Sequence, residues 1–531
     1  MTRHIRREEL QEYARRSLFS LAEEELDAFQ AMSEEMLAGY DRFEELPDPP
    51  VEWLAAHRDA GRRPGPGEDP CNAIVRWCSV RAEQPDPDGP LAGVRVGLKD
   101  MIAIGGLPMT FGSHVLRAYV SDRDAAITRG VLRAGAEVVA VTNMEAFAFS
   151  GGGETSAYGP VLNPYDLERT ACGSSNGSAA ALSYDGVDLA FGTDSGGSVR
   201  IPSSWCGVVG LKPTHGLVPY TGTISADWRF DHAGPMARTV EMLARGLDAV
   251  VEERTVDLVE REVRVHEPGC FREAVESAPE RLDGVTLGLL TEGFAAAEEA
   301  DPPPGTRETA VAVREAVERL RELGAEVREV SVPEHLSAAD VMFAGMIETV
   351  SSAIEGAPSA YSWFSEASPH FAAGFGAGMR AYGDELPETF KLVSILGTYM
   401  RDRYYGALGA RAHAMAASVR AAYDRALAEV DMLVLPTTTH YAHRLMPDLP
   451  AQERVMRGWT MLGNASSLNL TGHPAISIPA AEADGLPVGV QLVAPRFADR
   501  RLLAVAVAYE RAHGWLPAGE PAVRATVPAS S

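Results

Sequence analysis

Gly173–Pro213 reads GSSNGSAAALSYDGVDLAFGTDSGGSVRIPSSWCGVVGLKP, and the rest of the chain is best read outward from it. Ser174 and Ser198 lie 24 positions apart, each beside glycine. Ser198 follows Gly196-Gly197 and precedes Val199-Arg200-Ile201-Pro202. A serine behind two glycines can expose its hydroxyl and leave neighbouring backbone N–H groups unshielded. An acyl-transfer nucleophile with an adjacent oxyanion site needs both. Upstream, Val94-Arg95-Val96-Gly97-Leu98 reads as a buried strand ending in Lys99-Asp100. A lysine at the end of a buried strand is a candidate base, because desolvation lowers its pKa. Alone, a Gly-Gly-Ser tripeptide is more often a turn, and a strand-end lysine more often solvated. The joint occurrence carries the reading.

These segments resemble the amidase signature family. Its ordered blocks match Lys99, then Gly173-Ser174-Ser175-Asn176-Gly177-Ser178, then Gly192-Thr193-Asp194-Ser195-Gly196-Gly197-Ser198-Val199-Arg200, then Cys206-Gly207 through Lys212-Pro213-Thr214. The resemblance runs from about Asp69 to about Trp515. It implies a serine hydrolase without histidine. Ser198 is then the nucleophile, Ser174 the bridging serine with a cis bond from Gly173, and Lys99 the base. The backbone N–H groups of Ser195, Gly196, Gly197 and Ser198 are the implied oxyanion donors. Independently of the family, a serine hydroxyl attacks poorly until a base takes its proton, and neutral lysine can do so through a second hydroxyl. Three positions depart from the family pattern: Asn176 for glycine, Cys172 for glycine, and Met101 for asparagine. Asparagine tolerates positive φ, so a left-handed turn at Asn176 is expected to survive.

Composition sets the outer bounds. The chain has 531 residues, 46% hydrophobic and 23% charged, as ordinary globular proteins do. Its net charge of −26 opposes nucleic acid and anionic membranes, and favours solubility. The five cysteines match no zinc spacing and read as reduced, buried thiols of a cytosolic protein. The N-terminal MTRHIRREELQEYARR has no apolar signal core, and no long apolar run suggests a membrane span. The expected location is the cytoplasm.

Apolar residues at helical spacing over residues 6–45 predict two or three helices, and the Pro/Gly-rich residues 46–70 a linker. Residues 1–68 are therefore read as a helical extension and linker, and 69–525 as the catalytic domain. The extension resembles that of bacterial amidases encoded beside nitrile hydratases; a packing arm, a homodimer contact and a site cover are its three readings. Strands are expected at Val94–Leu98, Glu137–Val141, Thr286–Leu290, Glu326–Val332, Asp431–Leu435, Ala475–Ile478 and Val488–Val493. Helices at Ala125–Ala134, Glu308–Leu323 and Leu502–His513 alternate with them. The alternation predicts an α/β fold: a central mixed sheet with helices on both faces. Residues 336–430 read as largely helical and lie between sheet strands, where they could cover the site. The charged stretch Val251–Pro279 is assigned no function.

His440 and His443 lack an acidic third ligand and read as surface or pocket-rim residues rather than a metal pair. His232 reads as structural. The glycines fit no nucleotide-binding pattern, so no cofactor and no metal are expected. Substrate contacts are expected from Phe147, Ala148 and Ser150, within Phe147–Gly153, and from Asp227–Phe230, Met342–Ile354 and Asn464–Leu468. Together these imply an amidase that converts R-CONH2 to acid and ammonia through an acyl-serine, acting on a small-molecule amide of medium, partly apolar acyl group. The alternatives are a biosynthetic-cluster amidase for a guanidino, indole or aryl amide, the glutaminase component of a tRNA-dependent amidotransferase, and a catalytically dead binding or scaffold protein.

Overall fold

The computed structural model describes residues 4–47, 53–224, 227–251, 269–356, 368–517, 521–523 and 525. Two compact units divide the chain, 1–52 and 53–531. The first consists of helices Arg7–Arg16 and Glu23–Glu44, joined by Arg7, which pairs with Glu23 at 2.7 Å and with Asp27.

In the second unit the strands in chain order are β1 Ala56–Arg62, β2 Ile74–Ala82, β3 Arg95–Lys99, β4 Glu137–Thr142, β5 Leu162–Asn163, β6 Asp166–Thr170, β7 Leu189–Asp194, β8 Val209–Lys212, β9 His232–Ala237, β10 Thr286–Leu290, β11 Glu326–Val330, β12 Met432–Pro436, β13 Ala475–Ala483 and β14 Leu486–Val493. Twelve of them form one sheet in the order β1-β2-β4-β3-β7-β9-β8-β13-β14-β12-β10-β11, and β5-β6 pair separately. The sheet is mixed. β4-β3-β7 and β12-β10-β11 run parallel, and the remaining pairs are antiparallel. Strand β1 lies within residues 46–70, whose proline and glycine content reads as linker; its backbone pairs antiparallel with β2 and so joins the edge of the sheet.

The period-2 alternation of buried strands explains the layering. On β7, Leu189 and Phe191 belong to one apolar cluster while Ala190 belongs to a second. Helices Ala126–Arg133 and Val240–Val251 pack into the first, and helix Asn176–Ala181 into the second. Helices therefore cover both faces, as the alternating sequence pattern predicts. The described residues between 338 and 427 are mostly helical: Ala338–Gly356, Pro369–Tyr382, Glu388–Tyr404 and Ala407–Leu427. Most of Val251–Pro279 lies outside the described residues, and Cys270–Glu276 is a short helix. Among the described residues no helix is long and apolar enough to cross a membrane, and no cysteine is paired with another.

Candidate active site

Lys99 is the last residue of β3, a strand held between β4 and β7. That position removes its side chain from water entirely. Its Nζ donates to Ser174 Oγ and to Thr193 Oγ1, both at 2.8 Å. Burial drives its pKa down from 10.5 to about 7, against the opposing pull of Asp194, Glu145 and Asp231. A lysine in this state is half neutral near neutrality and can accept a proton.

Ser174 follows a cis peptide bond from Gly173. The left-handed residue in this turn is Cys172, at φ 68°, and not Asn176. Asn176 instead opens helix Asn176–Ala181, where its Oδ1 accepts the Gly177 N–H at 3.0 Å and its Nδ2 donates to Glu145 Oε1 at 3.2 Å. Glu145 is fully buried, and burial raises its carboxyl to about 7 despite hydrogen bonds from Thr155. Its N–H donates to the Ser174 carbonyl at 3.2 Å, so it grips the serine turn through both backbone and side chain. The neighbouring Ser175 ties the two serine segments together. Its N–H donates to the Ser198 carbonyl at 3.2 Å, and its Oγ donates to the Thr193 carbonyl at 3.1 Å. A Cβ on Gly192 would lie 2.5 Å from Ser175 Oγ, so this approach requires glycine there.

The Ser198 turn is organised by Asp194. Its carboxylate accepts from the Gly197 N–H at 2.8 Å and the Val199 N–H at 3.2 Å, and it pairs with the buried Arg200 guanidinium at 2.9 and 3.0 Å. Burial alone would raise the Asp194 pKa, but Arg200 and the Asn469 amide hold it well below the usual carboxylate range. Arg200 is held in turn by Gln491 Oε1 at 2.7 Å and Asn469 Oδ1 at 2.8 Å. Gly197 sits at φ 125°, and a Cβ there would lie 2.4 Å from Ile201 Cδ1 and 2.6 Å from Ala465 Cβ. Because the Gly197 N–H is taken by Asp194, it drops out of the four expected oxyanion donors. The amides of Ser195, Gly196 and Ser198 are what this turn can offer.

Ser198 opens onto a chamber of about 390 Å³ walled by Phe149, Ser150, Met342, Phe343, Trp459 and Leu462. A second chamber of about 700 Å³ is walled largely by rings: Phe111, Phe147, Phe149, Phe371, Phe375 and Phe390. Phe147 packs on Phe390 at 4.8 Å and on Phe111 at 5.5 Å between ring centroids. Ala148, Phe149, Ser195 and Met346 line both chambers. Of the three substrate contacts expected, Phe147 lies on the larger chamber, Ser150 on the smaller and Ala148 on both.

Other expectations change. Asp227–Phe230 and Asn464–Leu468 line neither chamber. Asp227 is instead paired with Arg229 and accepts from Thr349, and the Asn464 amide is spent on the Gly293 and Pro436 carbonyls. Sequence reasoning missed Phe111, Phe371, Phe375 and Phe390. Their signal was present as phenylalanines, three of them in a helical stretch, but helical spacing alone cannot say which face meets a cavity. His440 is buried, not on a rim, and it and His443 pack edge-on to Trp205 at 5.6 and 5.0 Å between ring centroids. Burial lowers the His440 pKa to about 4, so it stays neutral. Buried His232 meets the Phe230 carbonyl at 2.8 Å. Among the described residues no cluster of three or more His, Cys, Asp or Glu is placed to hold a metal.

The chain is similar to known amidases in sequence and in fold. The family model described as Amidase matches residues 76–503. An enantioselective amidase of Rhodococcus rhodochrous is 34% identical over 452 residues, covering 84% of each chain. The A subunit of glutamyl-tRNA(Gln) amidotransferase from Thermus thermophilus is 37% identical over 492 residues, covering 89% of this chain and 96% of that one. Among solved structures, the peptide amidase of Stenotrophomonas maltophilia superposes with a TM-score of 0.67 at 27% identity, covering 83% of this chain and 89% of that one.

Proposed function

This chain belongs to the amidase family, and on that premise we propose that it hydrolyses carboxamides bearing apolar, ring-sized acyl groups through an acyl-serine. Ser198 Oγ attacks the amide carbonyl. Its proton passes to Ser174 as Ser174 gives its own to neutral Lys99. The Ser195, Gly196 and Ser198 amides receive the developing oxyanion, fixed in advance by the Asp194 hydrogen bonds behind the turn. The relay then returns the proton to the leaving nitrogen, the C–N bond breaks, and water admitted to the same relay releases the acid.

The observation that carries this reading is the fully buried Lys99–Ser174 hydrogen bond beside the chamber that Ser198 lines. Burial makes the lysine a base, and a base held on a hydroxyl serves proton transfer better than stability.

The likeness to the A subunits of amidotransferases supports a second reading, a glutaminase. The chambers argue against it. No charged side chain is among their described lining residues, so the ammonium and carboxylate of glutamine would be desolvated unpaired. An ammonia-release panel separates the two. Phenylacetamide and its homologues are expected to be hydrolysed, with glutamine at least a hundredfold poorer in kcat/KM. A preference for glutamine would overturn the reading.

A further inference from the structure

The two chambers share Ser195, three residues before Ser198, and both are apolar; Ser198 itself lines the smaller one. A primary carboxamide needs only one of them. Its leaving group is ammonia, small and strongly hydrated, and gains nothing from a wall of Met342, Phe343, Trp459 and Leu462. Nor does the other chamber suit ammonia, with its shell of phenylalanine rings. Whichever chamber takes the acyl group, the other presents apolar surface to the nitrogen side of the scissile bond. Removing apolar area from water is favourable in proportion to the area buried. The shared waist of Ala148, Phe149, Ser195 and Met346 would let one extended molecule occupy both chambers with its amide at Ser198.

We propose that the site is built for N-substituted amides, R-CO-NH-R′, with an apolar group on each side of the bond. This rests on the amidase reading above and extends it. The chemistry balances with water as the only co-reactant. The Ser198 Oγ–carbon bond forms and the carbon–nitrogen bond breaks. The Ser198 proton leaves with R′-NH2, and water then cleaves the ester to R-COOH and restores the Ser198 hydroxyl. Aromatic walls on both sides point to arylalkyl or aryl groups for R and R′.

The test is a two-by-two matrix of acetamide, phenylacetamide, N-benzylacetamide and N-benzylphenylacetamide with the full chain, followed by chromatography of acid and amine. N-Benzylphenylacetamide is expected to exceed phenylacetamide in kcat/KM by tenfold or more. Phe390→Ala should reduce the advantage of one benzyl group and Trp459→Ala that of the other. An N-benzyl amide hydrolysed no faster than the primary amide of the same acid overturns the proposal. So does a pair of variants that both act on the same end of the substrate. Release of phenylacetic acid separates the two levels of failure. Release from phenylacetamide alone overturns this inference, whereas release from neither amide overturns the amidase reading with it.

Discussion

Lys99 Nζ stands 2.8 Å from Ser174 Oγ, and neither side chain is exposed to water. On the proposed reading the pair is a proton relay, and burial disfavours the charged form of its lysine. Its protonation should control turnover. Because burial brings Lys99 down to about 7, kcat/KM for a neutral amide should rise through a limb centred near pH 7 and level off above it. In Lys99→Ala the residual activity should lose that limb. A limb that survives the substitution would mark another base.

The same burial has a stability signature. Between about pH 7 and pH 10.5 the unfolded chain carries a proton on Lys99 that the folded chain has released. Wild-type stability therefore gains from this group as pH rises through that window, and the gain is absent below it. Lys99→Met lacks the group. It should be inactive yet more heat-stable than wild type near pH 7, with the difference in Tm narrowing toward pH 9. Differential scanning fluorimetry at both pH values reads the trend.

Among the described residues Arg200 is the guanidinium paired with Asp194, and both are fully buried. Arg200→Met would strand the carboxylate. Removing one partner of a buried pair typically costs about 3–5 kcal/mol. A large loss of stability is expected in urea melts, and the remaining folded protein should turn over poorly because the Ser198 turn loses its anchor.

Asn176 occupies a position where the family pattern has glycine. Asn176→Gly removes its hydrogen bonds to Glu145 and to the Gly177 N–H. A loss of about 1–3 kcal/mol is expected from the buried carboxyl left short of a donor. Activity should stay within about tenfold of wild type, since Ser174 remains on Lys99. Urea melts and steady-state kinetics check the two halves.

Much of this was legible in the chain. Strands such as Thr286–Leu290 carry continuous apolar runs between turn residues, and the ordered serine, glycine and lysine blocks announce their own geometry. What escaped was set by long-range contact. Strand β1 contains Arg58, Asp59 and Gly61 and has little strand propensity; pairing with β2 makes it a strand. The Gly197 N–H looked like an oxyanion donor because nothing in Gly-Gly-Ser reveals that Asp194 turns back to accept it. His440 reads as a surface or pocket-rim residue because a polar loop sequence does not show the Trp205 ring it packs on. The phenylalanine chamber draws rings from segments more than 200 residues apart, Phe111 and Phe390 among them, and no local pattern encodes that meeting.

On the proposed reading Ser198 is the nucleophile, activated through Ser174 and Lys99. Treating the protein with a fluorophosphonate and mapping the adduct by peptide mass spectrometry tests it most directly. The predicted result is a single labelled serine, Ser198, with labelling abolished in Ser198→Ala and strongly slowed in Lys99→Ala. Labelling of a different serine, or a Ser198→Ala protein that keeps about a tenth of wild-type activity, would contradict it.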